Sequence, residues 1–245
     1  MNNDDAMFAG AIGTHYDLLK QLSPISIEMS RLVGVTLSEV CPLSELPLNV
    51  VELGTGTGIT TLSLLTARDD MGVFSIDNEP TMQNQAKANL APWAERGKLV
   101  FCGDDALTAL RNIATATVDV VASAYTIHNF LNSYRFDVLK EVFRVLKPGG
   151  QFINGDRYAL DDLSKHTRAI QEEVSNYFRV LIAANKLDVL EQWIVHIVSD
   201  ESEDHIMRES VSLKELHDCG FAHINLTARQ GVNALVTAVK PLLTV

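Results

Sequence analysis

Cysteine is scarce in this chain, with three among 245 residues, Cys41, Cys102 and Cys219. An odd number, widely separated and in no ligand spacing, suggests neither a disulfide framework nor a zinc site. Each is expected to be a small buried hydrophobe. Cations are also few: 20 Lys and Arg stand against 31 Asp and Glu, a formal net charge of −11, and the basic residues never cluster. That balance argues against nucleic acid or an anionic membrane surface as the partner. No apolar run is long enough to span a bilayer, and Met1-Asn2-Asn3-Asp4-Asp5 lacks the basic region of a signal peptide, so a cytoplasmic chain is expected. What is plentiful is core-forming material: 47% of residues are hydrophobic, which suits one α/β domain with additions.

Glycine is concentrated where it matters. Asn49-Val-Val-Glu-Leu-Gly-Thr-Gly-Thr-Gly58 is a short apolar run that breaks into Gly54, Gly56 and Gly58. It reads as a buried strand ending in a glycine loop, followed by a helix with Leu62 and Leu65 at helical spacing. Such a loop lets a ligand lie against bare backbone. A dinucleotide fingerprint would place its third glycine where Ile59 stands, and an apolar residue where Glu52 stands. An acid there suits a ligand carrying positive charge better than a pyrophosphate.

Four further stretches follow in order. Val73 to Asp77 reads as a second strand ending in an acid, close to the ~20 residues past the loop at which a carboxylate meets a ribose diol. Asn78-Glu79-Pro80 then opens a helix that carries Met82. Leu99 to Cys102 leads into Gly103-Asp104-Asp105-Ala106, whose acids either cap the next helix or face a ligand. Val118 to Ser123 is a fourth strand running into Ala124-Tyr125-Thr126-Ile127-His128-Asn129-Phe130. In an open α/β sheet the ligand crevice lies beyond the strands' carboxyl ends, so this stretch is the expected source of chemistry. A helix from Ser133 stops at Leu146-Lys-Pro-Gly-Gly150 before a fifth strand, after which Asp156 and Arg157 lie close to each other. Arg157 either meets an acidic substrate or pairs with Asp156.

Before the core, residues Phe8 to Leu37 read as helices broken at Ser23-Pro24, with Phe8, Ile12, Tyr16 and Leu19 on one face. After it, Ile170, Val174, Tyr177, Phe178, Leu181 and Ile182 form one apolar stripe and Leu187, Leu190, Ile194 and Ile197 another. These stripes are read as packing, with Trp193 and His196 unassigned. Ser212 and Glu215 fit a capping box. The chain is expected to close as a hairpin turning at Gln230-Gly231.

The acid and triple glycine, the strand-two acid, the Gly-Asp element, the strand-four segment and Leu-Lys-Pro-Gly-Gly resemble, in order, the motifs of the class I S-adenosylmethionine-dependent methyltransferases. The resemblance implies a Rossmann-like seven-stranded sheet with helices on both faces and the last strand antiparallel. To this the chain adds N-terminal helices (residues 1–45) and a helical insert before the sixth strand (157–210), around a core of 46–156 and a closing 211–245. It implies S-adenosylmethionine as cofactor, with Glu52, Gly54, Thr55 and Gly56 at its amino-acid end and Asp77, Asn78 and Met82 at the ribose. Asp104, Asp105 and Ala106 would stand at the adenine, and Ser123 beside the cofactor. Tyr16, in a Tyr-Asp element, either covers the cofactor or packs in a core, and Arg31 is a candidate for the methionine carboxylate. His128 is either a general base or a packed loop residue, with Tyr125 and Asn129 as substrate contacts.

The implied activity is methyl transfer to a small molecule, with the insert serving as a lid or homodimer surface. A narrower likeness, carried by Asp77 to Met82, the insert and Gly220-Phe221, is to carboxy-S-adenosylmethionine synthases. Where that family keeps an Arg for the extra carboxylate, this chain has Ile197, and its Pro-Gly-Tyr reads Pro24-Ile25-Ser26. Plain S-adenosylmethionine is therefore the expected ligand. A nicotinamide-dependent oxidoreductase and a non-catalytic cofactor-binding protein remain the alternatives.

Overall fold

The computed structural model describes residues 22–41 and 46–242. Tyr16 and the expected helix around it lie outside them. Seven strands form one sheet: β1 (Leu48–Leu53), β2 (Met71–Ile76), β3 (Leu99–Cys102), β4 (Val118–Ala124), β5 (Leu146–Arg157), β6 (Ala222–Gln230) and β7 (Asn233–Val239). Their order is β3-β2-β1-β4-β5-β7-β6, and β7 alone runs antiparallel to its neighbours.

The strands of the sheet's centre are mostly apolar because both faces are covered, so adjacent residues enter different cores. Val51, Val121, Phe152 and Val236 point to one side, against α5 (Ala106–Asn112), α6 (Asn132–Val145) and α9 (Glu209–Asp218). Val50, Val120, Ile153 and Leu235 point to the other, against α1 (Pro24–Val40) and α2 (Ile59–Ala67). Two short helices, α3 (Pro80–Asn89) and α4 (Ala91–Glu95), join β2 to β3. A sheet covered this way leaves only its strand ends open, and the carboxyl ends of β1, β2 and β4 share one edge.

Between β5 and β6, α7 (Leu163–Ala183) and α8 (Leu187–Asp200) pack into a cluster of their own, with Leu22, Tyr177, Leu181, Val189, Leu190 and Ile197 buried in it. Phe178, Ile182 and Leu187, predicted on the same stripes, are exposed.

Helix α3 is capped by Glu79, whose carboxylate accepts from Met82 N–H, next to Asn78 and with Pro80 in its first turn. Two local expectations differ from the structure. Ser212 is the fourth residue of α9, not its cap. The helix start is set from outside, where Glu209 N–H donates to Ala159 O and Asp161 Oδ1 accepts from Ser210, so no local capping signature marks it. Lys147 to Gly150 belong to β5 as an irregularity, where the β4 register jumps from Val118–Leu146 to Val120–Gln151.

Candidate active site

The glycine loop is shaped by contacts on one side and space on the other. Gly54 adopts φ +81, and a Cβ there would sit 1.8 Å from Thr126 Oγ1, so the loop after β1 rests directly on the loop after β4. Gly56 adopts φ +51 with nothing within 4 Å of a Cβ position, which leaves bare backbone facing open space. Its N–H donates to Asp77 Oδ2 at 2.7 Å, and Asp77 Oδ1 accepts from Glu79 N–H. The strand-two acid is thus oriented by the loop it neighbours.

Beneath this loop Glu52 is fully buried and accepts from Thr61 and Ser75, while Thr55 joins Ser75 at 2.6 Å. Glu52 Oε1 has no hydrogen-bond partner among the described residues. Burial pushes this carboxyl up to about 8, against the hydrogen bonds from Ser75 and Thr61. An orphaned acid oxygen under an open glycine backbone fits a ligand with a cationic end. Ser123 is also fully buried and donates to Leu53 O, joining β4 to β1.

At β3, Gly103 and Asp104 are exposed. Asp105 caps α5 through Thr108 N–H and accepts from Tyr134 Oη; burial opposes its charge, but the hydrogen bonds from Thr108 and Tyr134 hold it below the usual range. Ala106 is half-buried at the start of that helix, Met82 is half-buried in the first turn of α3, and Asn78 is exposed. Arg31 lies on the exposed side of α1, paired with Glu28, and is not brought together with the others.

The loop after β4 holds a second group of residues. Tyr125 sits in the left-handed region at φ 50, its phenol donating to Asn233, and Asn129 folds back onto Tyr125 O. His128 is buried, and its Nδ1 lies 2.6 Å from Asp156 Oδ1. Burial opposes the charge on Asp156, but His128 and the surrounding donors hold it below the ordinary carboxylate range. Arg135 locks the loop by donating to the carbonyls of Ile127, His128, Phe130 and His205.

Asp156 therefore serves His128 rather than Arg157, whose guanidinium faces Glu173 at 2.7 Å and Asp200 and Glu201 at 3.5 Å. Burial opposes the charge of Arg157, but Glu173 and Asp200 outweigh it and raise its pKa. The helix read as packing also contributes here: α8 places His196 with its ring 6.1 Å from His128, and Asp200 Oδ2 3.9 Å from His128 Nε2. Burial keeps the His196 imidazole neutral, pushing it down to about 4. The only local trace of this was His196 and Asp200 one helical turn apart.

A family model described as "Methyltransferase domain" matches residues 50–150. Demethylmenaquinone methyltransferase of Leptospira interrogans is 35% identical over 109 residues, taking in 44% of this chain and 43% of that protein, less than half its length. Carboxy-S-adenosyl-L-methionine synthase of Campylobacter curvus is 24% identical over 191 residues, 76% of this chain and 77% of that one. Among solved structures, the CurJ carbon methyltransferase superposes with a TM-score of 0.65 at 16% identity, covering 95% of this chain and 59% of that one, which is a likeness of fold. Residues 50–150 thus match a methyltransferase domain, and they lie inside a sheet ordered β3-β2-β1-β4-β5-β7-β6 with the motifs at its carboxyl edge, the Rossmann-like fold of the class I S-adenosylmethionine-dependent methyltransferases.

Proposed function

We propose that this protein transfers a methyl group from S-adenosylmethionine to a small-molecule acceptor. The observation that carries the reading is the placement of the Asp156-anchored His128 on the loop that touches Gly54, so the open glycine backbone and a buried imidazole share one edge of the sheet. The cofactor supplies a methyl group on a sulfonium that needs no further activation. Gly54 to Gly56 and Glu52 receive its amino-acid end, Asp77 the ribose hydroxyls and Asp104 the adenine, while Asp105 remains a helix cap.

The chain's own work is alignment and proton handling. With Nδ1–H directed at Asp156, His128 keeps its lone pair on Nε2, which takes a proton from a hydroxyl or carbon acid as the methyl arrives. Tyr125 and Asn129 shape the acceptor's side of the loop. The segment carrying α7 and α8 closes over that side, and its exposed Phe178, Ile182 and Leu187 are the surface a second copy would cover. A cytoplasmic location belongs to the same reading; among the described residues no helix is long and apolar enough to cross a membrane.

Calorimetric titration with S-adenosylmethionine, its demethylated product and NAD tests the cofactor half. Saturable binding of the first two supports the reading, and binding of NAD alone overturns it. A carboxy-S-adenosylmethionine synthase-like activity is the second reading, favoured by the match across three-quarters of both chains. Ile197 speaks against it, being buried among apolar side chains of α7 and α8. Mass spectrometry of whatever leaves the denatured protein separates the two, since a carboxylated cofactor would appear only under the second.

A further inference from the structure

We propose that His128, His196 and Asp200 form a binding site for one divalent transition-metal ion. The three side chains are buried, and one donor atom from each lies within 4.8 Å of the other two. Asp200 Oδ2 stands 3.9 Å from His128 Nε2 and 3.6 Å from His196 Nε2. Neither separation is a hydrogen bond. Both are near the roughly 3.4 Å between ligand atoms of a tetrahedral ion with bonds of about 2.1 Å, and the third separation is within 4.8 Å, so side-chain movements of up to about an ångström close the site.

Two independent features support it. Asp156 holds His128 Nδ1 at 2.6 Å, the carboxylate–imidazole arrangement that orients a metal-bound histidine and raises its basicity. The surroundings also carry an excess of negative charge: Glu173, Asp200 and Glu201 all face the guanidinium of Arg157, Glu201 also lies 2.6 Å from His166 Nε2, and Asp156 lies against His128. Arg157 Nε is 3.5 Å from the same Asp200 oxygen, but its shorter contact is to Glu173, so Asp200 is shared rather than saturated. Two imidazole nitrogens and one carboxylate suit Zn²⁺, Fe²⁺, Co²⁺ or Mn²⁺ better than Mg²⁺ or Ca²⁺. A small cavity lined by His128, Arg157, His166, Asp200 and Glu201 adjoins the cluster, with space for about one water as a further ligand.

Such an ion would occupy the His128 Nε2 lone pair, so the base role of His128 belongs to the metal-free protein, and with the ion bound an acceptor oxygen would be acidified by coordination instead. That consequence rests on the methyl-transfer reading; the site itself does not. The test is calorimetric titration of the chelator-stripped full chain with Zn²⁺ and, separately, Co²⁺. One equivalent should bind at micromolar or tighter affinity. Co²⁺ should quench Trp193, whose ring is 6.1 Å from that of His196, in a Trp93→Phe background. His196→Ala and Asp200→Asn should each abolish stoichiometric binding, and Asp156→Asn should weaken it roughly 10–100-fold. Absence of stoichiometric binding by the unaltered chain overturns the proposal whether or not the variants fold, and so does affinity unchanged in folded His196→Ala and Asp200→Asn. A parallel titration of the stripped protein with S-adenosylmethionine reports on the cofactor site, so the two readings fail separately.

Discussion

His128 and Glu52 are both buried, yet their surroundings set them opposite tasks. The imidazole is anchored at one nitrogen by Asp156, so its tautomer and direction are fixed before any acceptor arrives. His128→Ala is expected to lower turnover of S-adenosylmethionine by roughly 10²–10⁴-fold with the cofactor Kd unchanged. Asp156→Asn should lower kcat in the same way, because an amide can favour the wrong tautomer. Unchanged kcat in a folded His128→Ala variant refutes the role. Glu52 is anchored from two sides but left with an orphaned oxygen, and its carboxyl rises from 4.5 to about 8. The folded state then binds the proton more tightly than the unfolded chain, so the associated stability is present below about pH 4.5 and is lost as the pH rises through about 8. In the cofactor-free protein, Glu52→Gln should flatten the decline in Tm between pH 5 and 8.5, and an unaltered pH profile would show that the carboxyl is not buried unpaired.

The glycine loop separates binding from folding within one element. Gly56→Ala meets no neighbour and bears only the cost of a left-handed backbone, about 1–2 kcal/mol. It should fold and lose at least tenfold in cofactor affinity if the bare backbone is where the ligand rests. Gly54→Ala would drive a methyl into Thr126 and should lower Tm well beyond that, which thermal melts of the pair would show. The strands were readable because burial on both faces turns each into an apolar run, and β1 to β4 begin and end within about two residues of where Val50, Val73, Leu99 and Val118 place them. The start of α9 was not, since Asp161 and Ala159 satisfy its first amides from some 50 residues away and Ser212 merely resembles a cap. The same divide runs through the site. Asp77 lies beside Gly56 because both end neighbouring strands, an arrangement that spacing encodes. His196 and Asp200 reach His128 only through the packing of α8, and no spacing rule relates residues 68 and 72 positions apart.

At the level of the whole molecule, the proposed function assigns the cofactor to the central sheet and the acceptor to the segment between β5 and β6. Phe178 is 44%, Ile182 56% and Leu187 61% exposed on that segment. If they cover one another across a dimer, light scattering should show the unaltered chain at twice its monomer mass and Phe178→Asp/Ile182→Asp at the monomer mass, with cofactor binding intact. A monomeric unaltered chain at about 10 μM would remove the dimer surface from the reading. Arg135 bears on how this half of the molecule moves. Its guanidinium grips the carbonyls of residues 127, 128 and 130 and, beyond them, that of His205 past the end of α8. The loop after β4 and the segment above it are therefore riveted together at one end. On the methyl-transfer reading, acceptor entry is expected to follow a collective swing of the segment about its other attachments, on the microsecond-to-millisecond scale of gating motions, rather than nanosecond motion of the loop alone.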